Sequence, residues 1–214
     1  FMKFLPGPGL GGHCIPVDPS YLAWRMKSLN FSARFIELAT EINSSMPEHV
    51  VERVASLLND RRLAVNGARV LIMGVAYKKD VGDMRESPAL DVMLHLANKG
   101  ADLSFHDPYV AECEVEGRLY KGVPLTEEAV SKSDVVLILT DHSEIDYAWL
   151  VEKARCVFDT RNATAALKLD EGQWPKDAFT PLNTSLGIPL GMHWNDGPVA
   201  CDSVAPFQKC RGFL

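Results

Sequence analysis

The chain has 214 residues, 47% hydrophobic and 23% charged, a composition that predicts a buried core and excludes global disorder. Lys and Arg number 22 against 28 Asp and Glu, a net charge of -6, which argues against a general binder of nucleic acid or of anionic membranes. No apolar run approaches the roughly 20 residues of a membrane helix and no signal peptide opens the chain, so a cytoplasmic protein is expected.

Residues 1–20 form a loop rich in Gly and Pro, FMKFLPGPGLGGHCIPVDPS. Asp18-Pro19 predicts a helix start, with the Asp18 carboxylate as N-cap before a proline whose missing N–H costs nothing there. A longer helix then carries Phe35, Leu38, Ile42, Val50, Val54 and Leu57 close to a 3.6-residue stripe. Pro47 lies inside it and is expected to kink or divide it. So broad an apolar face suits packing against another domain or a partner subunit, with burial in the same chain left open.

From Ala68 strands and helices alternate. Val70–Ala76 is a near-continuous apolar run, as in a buried parallel strand. Ser87-Pro88 starts a helix that Gly100 closes. A strand over Leu103–His106, a helix near Thr126–Ser131, a strand over Val135–Leu139, a helix near Tyr147–Ala154 and a strand over Cys156–Asp159 follow. This alternation predicts an α/β fold with a parallel sheet. Ligands of such sheets bind at the carboxyl ends of the strands, here Tyr77-Lys78, Asp107, Thr140 and Thr160-Arg161. After about residue 165 the periodicity ends, and an irregular tail is expected.

The five cysteines, at 14, 113, 156, 201 and 210, form no C-x-x-C pair, so neither a disulfide framework nor a metal site is predicted. GPGLGG at 7–12 matches G-x-G-x-x-G literally, but no buried strand precedes it, and Pro8 and Pro16 bracket it. Close approach of backbone to a ligand is the better use of these glycines. Cys14 ends the loop beside His13 and ahead of a helix start, a setting that favours a reactive thiolate. His106 and His142 read as core or surface histidines.

GPGLGGHCIPVDPSYLAW, ARFIELATEINSSMPEHV and RVLIMGVAYKKDVGDMRESPALDVM, in that order, resemble the nucleotide-sugar (UDP-glucose/GDP-mannose) dehydrogenases over about residues 4–165. The GGHC form with IPVDP is more similar to the UDP-N-acetylhexosamine 6-dehydrogenase branch. The resemblance implies a cysteine loop over 1–20, a central helical dimerisation region over 21–66, a Rossmann-like UDP-binding domain over 67–165 and an irregular tail over 166–214. It implies Cys14 as the catalytic nucleophile, capturing a C6 aldehyde and passing through a thioester, and Asp18 as a residue that orders water. Leu5, Gly7, Gly9 and Gly11 match the loop that wraps the substrate, and Tyr77, Lys78 and Arg161 match its other contacts. Arg85 matches an arginine that reaches the NAD cofactor, although an ion pair with Asp83 or Glu86 is the plainer reading of the residues alone.

Implied partners are a UDP-sugar and a second copy through the central helix, with no nucleic acid or membrane. The family pattern begins with an NAD-binding domain that this sequence does not supply. Together with Phe at position 1, that leads us to expect part of a larger enzyme of surface-polysaccharide precursor synthesis, inactive alone. A non-catalytic UDP-sugar-binding or dimerisation module is the alternative. A Cys–His hydrolase using His13 and Cys14 is weaker, because sequence neighbours rarely meet as nucleophile and base.

Overall fold

A computed structural model describes residues 6–165, Leu167 and the backbone of residues 179–181. The first helix, α1 (Asp18–Lys27), starts one residue earlier than the expected cap would allow. The Cys14 carbonyl accepts the amides of Val17 and Asp18 at 3.1 and 2.8 Å, so the chain is already turning at Val17, which becomes the N-cap. Asp18 is therefore the first helical residue and makes no cap bond. Its exposed carboxylate lies in the first turn, where the helix dipole favours negative charge.

Helix α2 (Arg34–Asp60) runs unbroken through Pro47, against the expected division. A proline removes one i to i−4 bond, here the one to the Asn43 carbonyl, at a cost of about 3 kcal/mol. Pro47, Val50, Val51, Val54, Leu57 and Leu58 are all buried, and that packing outweighs the lost bond. The apolar stripe splits in function along its length. Its second half packs on the next helix, whereas Phe35, Leu38 and Ile42 in the first half are exposed, Phe35 by 90%.

Strand β1 (Arg69–Met73) is buried at four of its five positions because both faces of the sheet are covered. Helix α3 (Pro88–Asn98) is capped by Ser87, whose Oγ accepts the Ala89 amide, and Gly100 at φ +83° turns the chain out after it. Strand β2 (Asp102–His106) lies parallel to β1, pairing Arg69 with Asp102 and Met73 with His106. An antiparallel hairpin of β3 (Glu112–Val115) and β4 (Arg118–Lys121) follows, which the sequence reading did not anticipate. Its two-residue turn, Glu116-Gly117, has φ of +44° and +77°, as a tight hairpin requires.

Helix α4 (Glu127–Lys132), strand β5 (Val135–Ile138), helix α5 (Tyr147–Lys153) and strand β6 (Val157–Asp159) complete the predicted alternation. Within the span expected to be irregular, Phe179–Pro181 forms β7, parallel to β6. The rest of 166–214, apart from Leu167, lies outside the described residues. The sheet order is β2-β1-β5-β6-β7, every pairing parallel. The chain moves outward from β1 to β2 and then returns to the other side of β1 with β5. The crevice of this doubly wound sheet therefore opens at the carboxyl ends of β1 and β5.

Alternation along the strands divides the core. Val70 and Ile72 of β1 join α2, α3 and Phe158 on one face, and Leu71 and Met73 join Val130, Leu150 and Val151 on the other. Phe158 is fully buried at the centre of the first cluster. Phe158→Ala is expected to destabilise the chain by about 3–5 kcal/mol, read as a lower urea midpoint at unchanged slope. Among the described residues no helix is long and apolar enough to cross a membrane.

Candidate functional site

Tyr77 and Lys78 leave the end of β1, Asp141 and His142 leave β5, and Arg161 leaves β6, so all five stand along one edge of the sheet. The glycine-rich loop is laid directly across that edge. A Cβ on Gly7 would run into the Arg161 guanidinium. On Gly11 it would come within 2.6 Å of the Tyr77 Cβ and 2.7 Å of the Glu86 carbonyl. Gly9 and Gly12 stand at φ +141° and +93°, where other residues are strained, and Gly12 lies against the Tyr77 ring. The Gly12 amide donates to the Arg85 carbonyl at 3.0 Å, tying the loop to the segment ahead of α3.

Gly9 also faces α2. Its Cβ would sit 3.4 Å from the Asn43 carbonyl oxygen, the one that Pro47 leaves without its helical donor. Between loop and helix lies an apolar cavity of about 440 Å³, lined by Leu10, Ile15, Phe35, Ile36, Pro47 and Pro88 among others.

Cys14 is exposed at the end of this loop, with His13 Nδ1 4.0 Å from its Sγ. Asp18 follows four residues on, its amide donating to the Cys14 carbonyl at 2.8 Å. Lys78 is exposed and has no hydrogen-bond or ion-pair partner among the described residues. Arg161 is half-buried, its Nε 3.4 Å from Asp141 Oδ1, and its amide donates to Asp159 Oδ1 at 2.9 Å. Lys79 approaches the same Asp141 at 3.9 Å. Lys78 and Arg161 thus bring two cations to the edge across which the glycine-rich loop, ending in the exposed Cys14, is laid.

Arg85 takes the plainer of its two expected roles in this structure. It is 67% exposed and its guanidinium grips Asp83 at 2.6 Å, holding the Asp83 carboxyl down at about 2. Leu5 lies outside the described residues. The G-x-G-x-x-G stretch forms no dinucleotide cradle. No described strand precedes it, α1 begins only at Asp18, and its glycines are packed against Tyr77, Arg161 and Pro88. This stretch therefore does not fit the pyrophosphate of NAD. The described residues contain no group of three or more His, Cys, Asp or Glu that could hold a metal ion.

Asp141, His142 and Asp80 were not singled out as site residues from the sequence, and Asp107 was named only for its place at the end of a strand. Asp107 Oδ2 accepts the amides of Val75 and Ala76 at 2.8 and 3.2 Å, and Oδ1 accepts that of Tyr109 at 2.8 Å. Burial pushes its carboxyl up, but the bonds from His142 and these amides outweigh burial and hold it below its ordinary value. The available signal was positional: Asp107 directly follows β2, and Asp80, Asp141 and His142 lie in the loops that follow β1 and β5.

Residues 71–166 match the UDP binding domain of the UDP-glucose/GDP-mannose dehydrogenase family, and residues 1–45 match its central domain. The chain is 36% identical over 185 residues to a UDP-N-acetyl-D-mannosamine dehydrogenase of Methanococcus maripaludis, covering 82% of this chain and 39% of that protein. It is 33% identical over 144 residues to a UDP-N-acetyl-D-glucosamine 6-dehydrogenase of Pseudomonas aeruginosa, covering 67% and 34%. The structure of a UDP-D-ManNAc dehydrogenase from Pyrococcus horikoshii superposes with a TM-score of 0.67 at 25% identity, covering 85% of this chain and 40% of that one. The chain spans about two fifths of the length of these relatives.

Proposed function

The chain belongs to the UDP-glucose/GDP-mannose dehydrogenase family, and on that footing we propose that it binds a UDP-sugar and captures it covalently within a nucleotide-sugar 6-dehydrogenase. The observation that carries this reading is the docking of the Cys14 loop on Tyr77 and Arg161, which joins a nucleophile to an anion site. Lys78 and Arg161 hold the pyrophosphate, and both types of cation form charge-assisted bonds to phosphate oxygens. The sugar runs along Gly7, Gly9 and Gly11 and brings C6 to Cys14; Leu5, which lies outside the described residues, is a proposed contact of the same loop. The names of the similar proteins favour an N-acetylhexosamine as that sugar.

Chemically, the Cys14 thiolate attacks a C6 aldehyde. A carbon–sulfur bond forms, the carbonyl pair moves to oxygen, and that oxygen takes a proton to give a thiohemiacetal. Hydrolysis of the derived thioester returns the thiol and releases the uronic acid, with Asp18 ordering the water. The hydride losses that accompany capture require NAD, for which the stretch at 7–12 forms no cradle. Arg85 turns toward that cofactor only by leaving Asp83, and its reach to NAD stands as a proposal.

The same reading makes the exposed stripe of α2 the contact with a second copy, and assigns the protein to cytoplasmic synthesis of surface-polysaccharide precursors. It divides the chain at the boundaries expected from sequence, 1–20, 21–66 and 67–165. Calorimetric titration of the folded chain with UDP tests it. Saturable 1:1 binding that weakens with added salt is expected, and no heat of binding by folded protein overturns it.

A further inference from the structure

We infer that His142 is a positioning residue for the UDP site: through Nδ1 it holds the Asp80 amide, and so fixes the loop that presents Tyr77 and Lys78. The inference rests on the functional reading above and deepens it.

His142 is fully buried, and both of its ring nitrogens are engaged. Asp80 N–H lies 3.1 Å from Nδ1, and an amide can only donate, so Nδ1 is the acceptor. Nε2 then carries the hydrogen and donates to Asp107 Oδ2 at 3.1 Å. The Tyr109 ring packs on the imidazole with centroids 5.1 Å apart, and the Tyr147 hydroxyl donates to the His142 carbonyl at 3.2 Å. The ring is thereby fixed from several sides, and one tautomer is selected.

The element it holds is the loop from Tyr77 to Asp83. Asp80 stands at φ +59°, a left-handed conformation that a residue with a side chain keeps only when its surroundings impose it. Two successive residues after β5 impose it. His142 takes the Asp80 amide, and Ser143 binds the Asp80 carboxylate through its own amide at 2.7 Å and its hydroxyl at 2.8 Å. The loop is closed at its other end by the Tyr77 amide, which donates to the Asp83 carbonyl at 2.9 Å. Lys78 lies between these ties with no partner among the described residues. Its ammonium is therefore aimed by the backbone, and the backbone is set from β5.

An apolar residue of similar volume would fill the same space, so the two bonds of the ring have to be separated to show positioning. His142→Asn places an acceptor near the Nδ1 position and loses the donor to Asp107. His142→Gln reaches the Nε2 position with a donor and loses the acceptor for Asp80. The experiment is calorimetry of the chain with UDP for both variants, with thermal melting alongside. His142→Asn is expected to bind UDP within about 3-fold of the wild type even where its Tm falls. His142→Gln is expected to bind at least 10-fold more weakly.

In a Lys78→Ala background, His142→Gln is expected to add less than 2-fold, because its effect passes through Lys78. Affinities that follow Tm across the variants, or a full extra loss in the Lys78→Ala background, overturn the inference. Should neither histidine variant fold, Ser143→Ala at an exposed position serves. A loss of UDP affinity of about 3-fold, absent in the Lys78→Ala background, supports positioning, and unchanged affinity overturns it. Hydrogen exchange of the Asp80 amide separates the two readings. A wild type that binds no UDP while this amide is protected overturns the functional reading, whereas a wild type that binds UDP with an unprotected amide overturns the role of His142 alone.

Discussion

Replacing Lys78 and Arg161 together by alanine is expected to weaken UDP binding by about 100-fold or more, because each cation supplies a charge-assisted bond to phosphate of roughly 1.5–3 kcal/mol. The two contribute differently. Lys78 is exposed and has no partner among the described residues, so removing it takes away a point charge and leaves none of them unpaired. Arg161 is anchored by Asp141 and lies under Gly7, so its loss also removes the surface on which the loop rests and leaves Asp141 with only the distant Lys79. Arg161→Ala is therefore expected to cost more than Lys78→Ala, and part of that cost to persist at high salt, where exposed charges are screened. Calorimetry with UDP at two ionic strengths measures both. As the matched control, Lys99→Ala with Arg118→Ala removes the same charge from exposed positions away from that sheet edge and is expected to leave affinity within 2-fold.

Cys14 is expected to be alkylated at least about 100-fold faster than Cys113 or Cys156 at pH 8, with peptide mapping to assign each thiol. Cys113 and Cys156 are buried, and burial pushes both thiols up, Cys113 to about 11. At pH 8 a thiol with that value is thiolate in about one molecule in a thousand, and iodoacetamide must also reach it through the core. Cys14 is exposed, so the reagent reaches it directly. Saturating UDP-sugar is expected to slow its alkylation, since the sugar covers the thiol, whereas UDP alone is expected to slow it little. Equal rates at the three thiols would remove Cys14 as the nucleophile. Equal protection by UDP and by UDP-sugar would place the sugar elsewhere.

The parallel sheet was legible because Val70–Met73 and Val135–Ile138 are apolar without interruption, and only a strand covered on both faces tolerates that. The β3–β4 hairpin was not, since its strands are four residues each and carry as many charged as apolar side chains. Pro47 misled because the rule for proline counts the lost helical bond and cannot see the burial that compensates for it. Lys78 and Arg161 were legible by position alone, at the ends of predicted strands. The orientation of Arg85 turned on Asp83, two residues away, a local partner that was visible, while its remote one was inferred from resemblance. The His142–Asp107 pair joins positions 35 residues apart, and neither residue carries a motif that announces the other. Such pairings become visible only when the loops after β2 and β5 are brought side by side.

The contact of Gly7 with Arg161 closes nearly the whole described chain into a ring. During synthesis the loop that carries Cys14 emerges before the strands it rests on, and its seat is completed only when Arg161 has left the ribosome. Contacts so far apart in sequence bear the largest loop-closure entropy and form after the sheet that supports them. The loop is then the last piece to dock and the first to detach when the protein opens locally. Exposure of the Cys14 thiol and completion of the seat of its loop are thus separated in time, and a premature stop anywhere before Arg161 leaves a chain with the thiol and without the Gly7–Arg161 contact.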